Sequence, residues 1–450
     1  MAEHSELHAF VGHENPTILR YAADSGGSHR RGDVCDPQAV AAFAREREID
    51  IAMVSADEPL QAGVVDALLA QGTRAVGPTA AGAEIEWNKT FARSVLGEVA
   101  PDASPLLRVV HDPGELDEAL AFFGSTPVAV KPPGLTGGKG VKVMGPHLAS
   151  HQEARNYALE LLQRGGERKG VHVEEKIVGA EFTIQAISDG STVLFPPSTY
   201  DYPYRYDGDR GPGTGGMGSL SMASPTLPFM SHAHYQQACS IIERVIERLA
   251  QQGRRFNGIM NSGFFATADG VKAIEFNARF GDPECMNIMS LFNGSWPEVM
   301  ERICAESLLA EDVPLRKEAS VVLYLVSPDY ALGTPGPAYE FALERERIEA
   351  DGCNVFFSSA VEIGENAYRT VGTSRAVALT ATAPTLEQAR ARVAASALTI
   401  PVLEWRKDVG DERYLNDLTR LVDSDDAGAD PGGHTAAEPT ADAALLPNAG

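Results

Sequence analysis

Residues 273–284 read A-I-E-F-N-A-R-F-G-D-P-E and carry Glu275, Asn277 and Arg279 two apart on a predicted strand. Side chains alternate faces along a strand, so these three project to one side while Ile274 and Phe276 are expected in a core. One face then offers a carboxylate, an amide oxygen and a guanidinium in a row. Carboxylate and amide oxygens are hard ligands of the kind Mg²⁺ takes, one or two from the protein and the rest from water and substrate phosphates. The neighbouring guanidinium matches a phosphoryl group bidentately. Taken alone, E-x-N-x-R is more often the polar outer face of an amphipathic strand. What weighs against that bland reading is the rest of the chain.

Upstream, V-A-V-K-P-P-G-L-T-G-G-K-G-V-K-V-M-G (128–145) predicts a strand to Lys131, a glycine-rich loop and a strand from Val141. Gly134, Gly137, Gly138 and Gly140 allow bare backbone N–H groups to approach phosphate oxygens, and Lys139 adds a point charge. A P-loop is excluded, because only three residues separate Gly134 from Gly138 and Gly140 follows the lysine. A dinucleotide fingerprint is excluded because a strand, not a helix, follows the glycines. The segment therefore reads as a flap between antiparallel strands. Lys89, near the middle of a helix predicted over 81–97, is by itself an ordinary solvated lysine. The strand V-H-V-E-E-K-I (171–177) and the following E-F-T-I-Q-A-I (181–187) permit two readings. Glu174, Glu175 and Lys176 are either a solvated edge or, with backbone groups at Lys176 and Ile177 and a carboxylate at Glu181, a nucleoside clamp.

The N-terminal part alternates strand and helix, with strands at 7–12 and 49–54 and helices at 36–47 and 59–71, and so predicts a parallel sheet. The loop 55–58 lies at a strand's C-terminal end, where such sheets place ligands. Residues 201–218 hold six glycines and no regular pattern, and a loop this long in a compact domain is usually functional. A helix is predicted over 232–252 and a hairpin over 258–277, which delivers the opening motif. Residues 319–399 read as a third, strand-rich unit.

The chain has 450 residues, 44% hydrophobic and 22% charged, which predicts a globular protein of several domains. No apolar run is long enough to cross a membrane, and no secretory signal opens the chain, so the cytoplasm is the expected compartment. Five dispersed cysteines without a C-x-x-C pair argue against a disulfide framework or zinc site. The formal charge of −24 opposes nucleic-acid binding. A quarter of that charge is local, since six acids and no Lys or Arg follow from Asp423 onward. A chain this acidic that handles a polyphosphate must gather its cations in the site.

In order along the chain, Lys89, K-P-P-G-L-T-G-G-K-G-V, E-E-K-I-x-G-x-E, G-P-G-T-G-G-M-G and E-F-N-A-R-F-G-D-P-E resemble the ATP-grasp enzymes. More narrowly they resemble the phosphoribosylamine–glycine ligase (glycinamide ribonucleotide synthetase) family of purine synthesis, over about residues 7–412 and including R-K-D-V-G at 406–410. The resemblance implies an α/β and α+β architecture: a parallel-sheet domain over 1–80, an ATP-grasp domain over 81–315 with a lid over about 108–178, a β-rich cap over 316–422, and a disordered tail over 423–450. It implies ATP with Mg²⁺ or Mn²⁺, and small-molecule amine and carboxylate substrates, in a monomer or homodimer without membrane or nucleic-acid partners. Lys89 and Lys131 would contact ATP. Gly137, Gly138, Lys139 and Gly140 would close on its phosphates, Glu174, Glu175, Lys176 and Ile177 would hold adenine, and Glu181 the ribose. Glu275 and Asn277 would bind the metal, with Arg279 and Lys139 acting on the transferred phosphoryl group. Asp201, Arg205, Thr214, Gly215, Gly216, Met217, Asp282, Pro283 and Glu284 would meet the acceptor substrates. The implied path is phosphorylation of a carboxylate to an acyl phosphate, then attack by an amine.

Three departures fall on the acceptor side. The family opens with a strand and the loop G-S-G-G-R-E-H, and the present chain is expected to lack that first strand, loop and helix. Where the family has D-H-K-R, Asp201-Tyr202-Pro203-Tyr204 stands here, and Gly213 replaces an Asn. These departures leave open a ligase for a different amine or amino acid. A non-catalytic ATP-binding paralogue is the other alternative, against which Glu275, Asn277, Arg279 and Lys139 all speak.

Overall fold

In the computed structural model, residues 5–132, 140–145, 147–164, 170–333 and 336–423 are described. Gly134, Gly137, Gly138 and Lys139 of the flap, and the tail from 424, lie outside them. The centre is a sheet whose strands run in the order Gly270–Asn277, Gly258–Thr267, Ala180–Ser188, Thr199–Asp201, Gly218–Ser221, Ala319–Leu325, Val377–Ala383 and Cys353–Phe357, with the short Val193–Leu194 paired to Ala180–Ser188. Its pairings are antiparallel. One face is apolar: Phe182, Ile184, Phe264 and Phe276 are buried in the main core against the helix His232–Gln251. Each such side chain contributes roughly 1.5–3 kcal/mol by leaving water. The opposite face carries Glu181, Gln185, Asn261, Glu275 and Asn277 by the period-two rule and forms the cleft floor.

The strand Ala319–Leu325 belongs to the expected cap, yet it hydrogen-bonds Gly218–Ser221 of the body. The sheet is thus continuous across the boundary expected at 315/316. Only Glu340–Ala342, Ala360–Gly364 and Ala367–Thr370 make a separate small sheet beyond it.

The lid has its own core. A four-stranded sheet orders Leu107–Val110, Val171–Glu175, Val128–Lys131 and Lys142–Val143, packed by the helices Pro113–Phe123 and His151–Gln163. Asp112 and Ser150 cap these helices by accepting from backbone N–H groups of the first turn.

At the N-terminal end, parallel pairing joins Ala9–Val11 to His29–Arg31 and Ile51–Met53 to Arg74–Val76. Among the described residues no hydrogen bond joins the two pairs into the one sheet expected. The helix expected over 81–97 is two helices, Ala80–Trp87 and Lys89–Val99. Asn88 breaks it by capping the second, its side chain accepting from Phe91 N, so Lys89 is a first-turn residue. The segment 201–218 is ordered as a hairpin of Tyr204–Tyr206 and Arg210–Gly213 between two central strands. Alternate tyrosines at 202, 204 and 206 were the strand signal beneath its glycines.

Candidate active site

The opening motif does not keep simple alternation. Gly263 pairs with Glu275 and Phe264 with Ala273, so Ile274 is an extra residue in its strand and is half-buried instead of in the core. A bulge of this kind re-aims its neighbours. Here it puts Ala273 and Phe276 in the core and turns Glu275 outward. Asn277 follows with its amide Nδ2 3.2 Å from Glu275 Oε1. The bulge is held by Arg93, which donates to the carbonyls of Ala273 (2.9 Å) and Ile274 (3.1 Å).

Three of the four residues after the strand Gly270–Asn277 have their backbone N–H groups fastened one by one. Glu86 accepts from Ala278 N (2.7 Å), Ser55 Oγ from Phe280 N (3.1 Å) and Gln185 Oε1 from Gly281 N (3.1 Å). Glu86 also lies 3.2 Å from Arg279 Nε, and is 3% exposed against 26% for the arginine. Burial outweighs that cation and pushes the Glu86 carboxyl up to about 7. Arg279 is therefore aimed from behind by a helix of the N-terminal part and remains open toward the cleft.

At the lid's base Glu174 takes both Arg93 (3.1 Å) and Lys131. Burial alone would raise its pKa, but Lys131 and Arg93 hold it down to about 2. Its backbone pairs with Leu107 on one side and Ala129 on the other. The expectation that Glu174 holds adenine is corrected: carboxylate and main chain are both engaged by protein. Lys176 N–H donates to Pro127 O (2.7 Å). Lys89 Nζ donates to Pro132 O (3.3 Å), and burial, then nearby Lys131, push its ammonium down. Glu181 is open to water at the cleft mouth but walled by protein, and desolvation followed by Glu275 pushes it up to about 7. Gly140, at φ +84°, accepts from the Tyr157 hydroxyl at 2.5 Å. Gly137, Gly138 and Lys139 lie outside the described residues.

On the acceptor side three expectations are corrected. Arg205 is buried and bonds Glu404 (2.6 Å) and the carbonyls of Tyr330 (3.2 Å) and Ser327 (3.4 Å), so it latches the cap. Met217 packs in the core with Val326 and Tyr330. Tyr202, one residue on from Asp201 and hence on the opposite face, is fully buried; its hydroxyl accepts from Gly410 N (2.8 Å) and its ring lies beneath Arg406. The Tyr-Pro-Tyr departure therefore bears on cap docking, since Tyr202 faces away from Asp201 and meets Gly410 and Arg406. Thr214 shapes its loop, donating to Pro203 O (3.0 Å) and accepting from Gly216 N (3.1 Å). Asp201, Gly216, Pro283 and Glu284 do meet. A methyl group at Gly216 would fall 2.5 Å from Asp201 Oδ1 and 2.6 Å from Pro283 Cδ. Burial and mutual repulsion raise Asp201 well above the usual carboxylate range, and burial raises Glu284. Asp282 pairs with Arg375 (2.9 Å) and accepts from the Tyr324 hydroxyl (2.8 Å).

Arg93, Glu86, Gln185, Asn261 and Arg375 escaped the sequence reading, whereas Ser55 belongs to the loop 55–58 expected beside ligands. Arg93 is four residues from Lys89, one helical turn on. Gln185 and Asn261 are polar interruptions of apolar strands. Arg375 left no local signal, because its side-chain hydrogen-bond partners lie about ninety residues or more away in the chain.

Glu275 and Asn277 present oxygen donors side by side in an open cleft whose cations surround them, and this set suits a hard divalent ion that completes its shell with phosphate and water. Among the described residues no group of three or more His, Cys, Asp or Glu is placed to hold a metal by itself.

Family models for the phosphoribosylglycinamide synthetase N domain and ATP-grasp (A) domain match residues 2–86 and 87–285. The chain is 37% identical to the phosphoribosylamine–glycine ligase of Pyrococcus furiosus over 423 residues, covering 93% of this chain and 92% of that one. Among solved structures it resembles phosphoribosylamine–glycine ligase from Thermotoga maritima, with TM-score 0.70, 22% identity, and coverage of 90% and 93%. It also resembles the biotin carboxylase domain of the Hydrogenobacter thermophilus 2-oxoglutarate carboxylase, crystallised with MgADP and bicarbonate, with TM-score 0.65, 14% identity, and coverage of 94% and 89%. These two structural likenesses concern the fold.

Proposed function

The chain belongs to the phosphoribosylamine–glycine ligase family, and from that premise we propose that its cleft joins the carboxylate of glycine to the amine of phosphoribosylamine, in the cytoplasm, as a monomer or homodimer. It is an ATP-grasp, ADP-forming carbon–nitrogen ligase using ATP with Mg²⁺ or Mn²⁺. The observation that carries the assignment of residues is that Glu275, Asn277 and Arg279 share one cleft with Lys89 and Lys131, the arginine fixed by Glu86 and the bulge by Arg93.

Phosphoryl transfer asks little covalent chemistry of the protein and depends on position and charge. Glu275 and Asn277 would hold the metal, which supplies charge neutralisation between the phosphates. Lys89, Lys131, Gly140 and the flap residues Gly137, Gly138 and Lys139 would contact phosphate or adenine. Glu175, the Lys176 carbonyl and Ile177 would meet the base, Glu181 the ribose. Arg279 would steady the phosphoryl group as it passes to the carboxylate. Thr214, Gly215, Gly216, Asp282 and Pro283 would wall the acceptor beside Asp201 and Glu284. Of the three departures that leave a different amine open, the one at Tyr202 lies under the cap. ADP release measured with glycine and phosphoribosylamine tests the reading. Turnover with that pair is expected, and turnover only with other amines or amino acids, or none despite ATP binding, overturns it.

A further inference from the structure

One part of the cleft carries buried polar atoms that the fold leaves unused. Gln185 is 1% exposed and Asn261 5% exposed, and they face one another on adjacent strands. Gln185 Nε2 and Asn261 Oδ1 have no partner among the described residues, and neither has Asp201 Oδ1. A desolvated amide or carboxylate atom without a partner is costly to keep, so three together mark a place where something else binds. The atoms converge. A methyl at Gly281 would fall 2.6 Å from Asn261 Nδ2 and 2.7 Å from Glu284 Oε2, as one at Gly216 would strike Asp201 Oδ1. Glycine at 216 and 281 keeps that space clear.

The cations nearest the two acids, among the described residues, are Arg375 and Arg279, and burial outweighs them. Arg375 is the adjacent cation, but its hydrogens go to the carbonyls of Gly215, Gly216 and Asp282 and to the Asp282 carboxylate. Arg279 is turned to Glu86. Two desolvated carboxyl groups with the free Asn261 amide oxygen beside them suit an amine or ammonium group and repel a carboxylate, while Gln185 Nε2 is left as a donor.

We infer that Gln185, Asn261, Asp201 and Glu284 form the amine subsite, in which the carboxyl pair holds the nucleophilic nitrogen and accepts the proton it releases. The inference rests on the ligase reading above. In the step, the nitrogen lone pair forms the C–N bond at the acyl phosphate, and the C–O bond to phosphate breaks with its electron pair leaving on inorganic phosphate. The proton lost by nitrogen passes to Asp201 or Glu284. The raised proton affinity of the pair suits it to accept such a proton. The carboxylate substrate then sits on the Arg279 side, next to the phosphate donor.

Hydroxylamine separates the halves, since it is unprotonated at neutral pH and traps acyl phosphates as hydroxamate without help from a base. Wild type, Asp201→Asn and the isosteric Glu284→Gln are assayed with ATP and glycine, with either phosphoribosylamine or hydroxylamine. Each variant is expected to lose about 10²-fold in amide formation, to keep hydroxamate formation within about threefold and to keep its KM for ATP. Retained hydroxamate formation also shows that the variant is folded. The inference is overturned if both reactions fall together, if neither falls, or if wild type makes amide but no hydroxamate. Wild type making neither product would instead sink the ligase reading.

Discussion

Glu174 and the Asp201–Glu284 pair are buried acids in one cleft with opposite surroundings. Glu174 is saturated by Arg93 and Lys131 and held down to about 2. Asp201 and Glu284 have beside them, among the described residues, only Arg375 and Arg279, which are engaged elsewhere, and burial pushes both acids upward. A carboxylate with its charge matched on all sides can do little but hold parts together, and Glu174 ties the lid sheet to the helix carrying Lys89 and, through Arg93, to the bulge behind Glu275. A carboxylate left unmatched keeps its affinity for a proton or an amine. The two regions teach that burial of an acid is silent about role until its partners are counted.

The largest expected effect breaks the ATP side outright. Glu275→Ala should lower turnover by about 10³-fold or more, as loss of a metal ligand at a phosphoryl site does; steady-state ADP release checks it. Next comes the matched acid. Glu174→Gln leaves Arg93 and Lys131 facing each other and should cost about 3 kcal/mol in urea unfolding. Glu174 has a folded pKa below the ordinary 4.5, so its contribution is complete above that value and is lost as pH falls toward about 2. The gap between wild type and variant should close over that window. Between the two regions stands Glu86, whose carboxyl is raised to about 7. Wild-type kcat should decline below that pH as Glu86 takes up a proton and loosens Arg279. Glu86→Gln should flatten this limb and lower the plateau about tenfold, with KM for ATP nearly unchanged; a pH–rate profile decides. The smallest effect sharpens the acceptor boundary. Tyr202→Phe removes the hydroxyl that accepts from Gly410 N and should cost about 1 kcal/mol of stability, while KM for both acceptors stays within about twofold.

Glu275 and Asn277 were legible as a row because one strand carries both, with Arg279 two residues past its end; Gly134, Gly137, Gly138 and Lys139 of the flap lie outside the described residues. The bulge at Ile274 was not legible, since it depends on which residue of the neighbouring strand pairs with which. Glu174 was misread because a glutamate beside a lysine looks alike whether it greets a nucleotide or two buried cations. Arg205 and Tyr202 were misread because a motif aligned by sequence carries no information on which face each side chain takes. The adjoining Asp201 faces the cleft, and strict alternation would have sent Tyr202 away from it. Arg375 joins the site only when the sheet brings distant segments together.

That sheet runs unbroken from Gly270–Asn277 to Cys353–Phe357, and Arg375 reaches from just before its strand Val377–Ala383 to hold Asp282. Evolution therefore cannot shuffle the C-terminal part as an independent cassette. A chimera spliced between two relatives at 315/316 keeps that backbone ladder but sets one relative's side chains against the other's across it, Asp282 against residue 375 included, so inherited changes in acceptor preference should arise as matched pairs of substitutions on both sides of that seam.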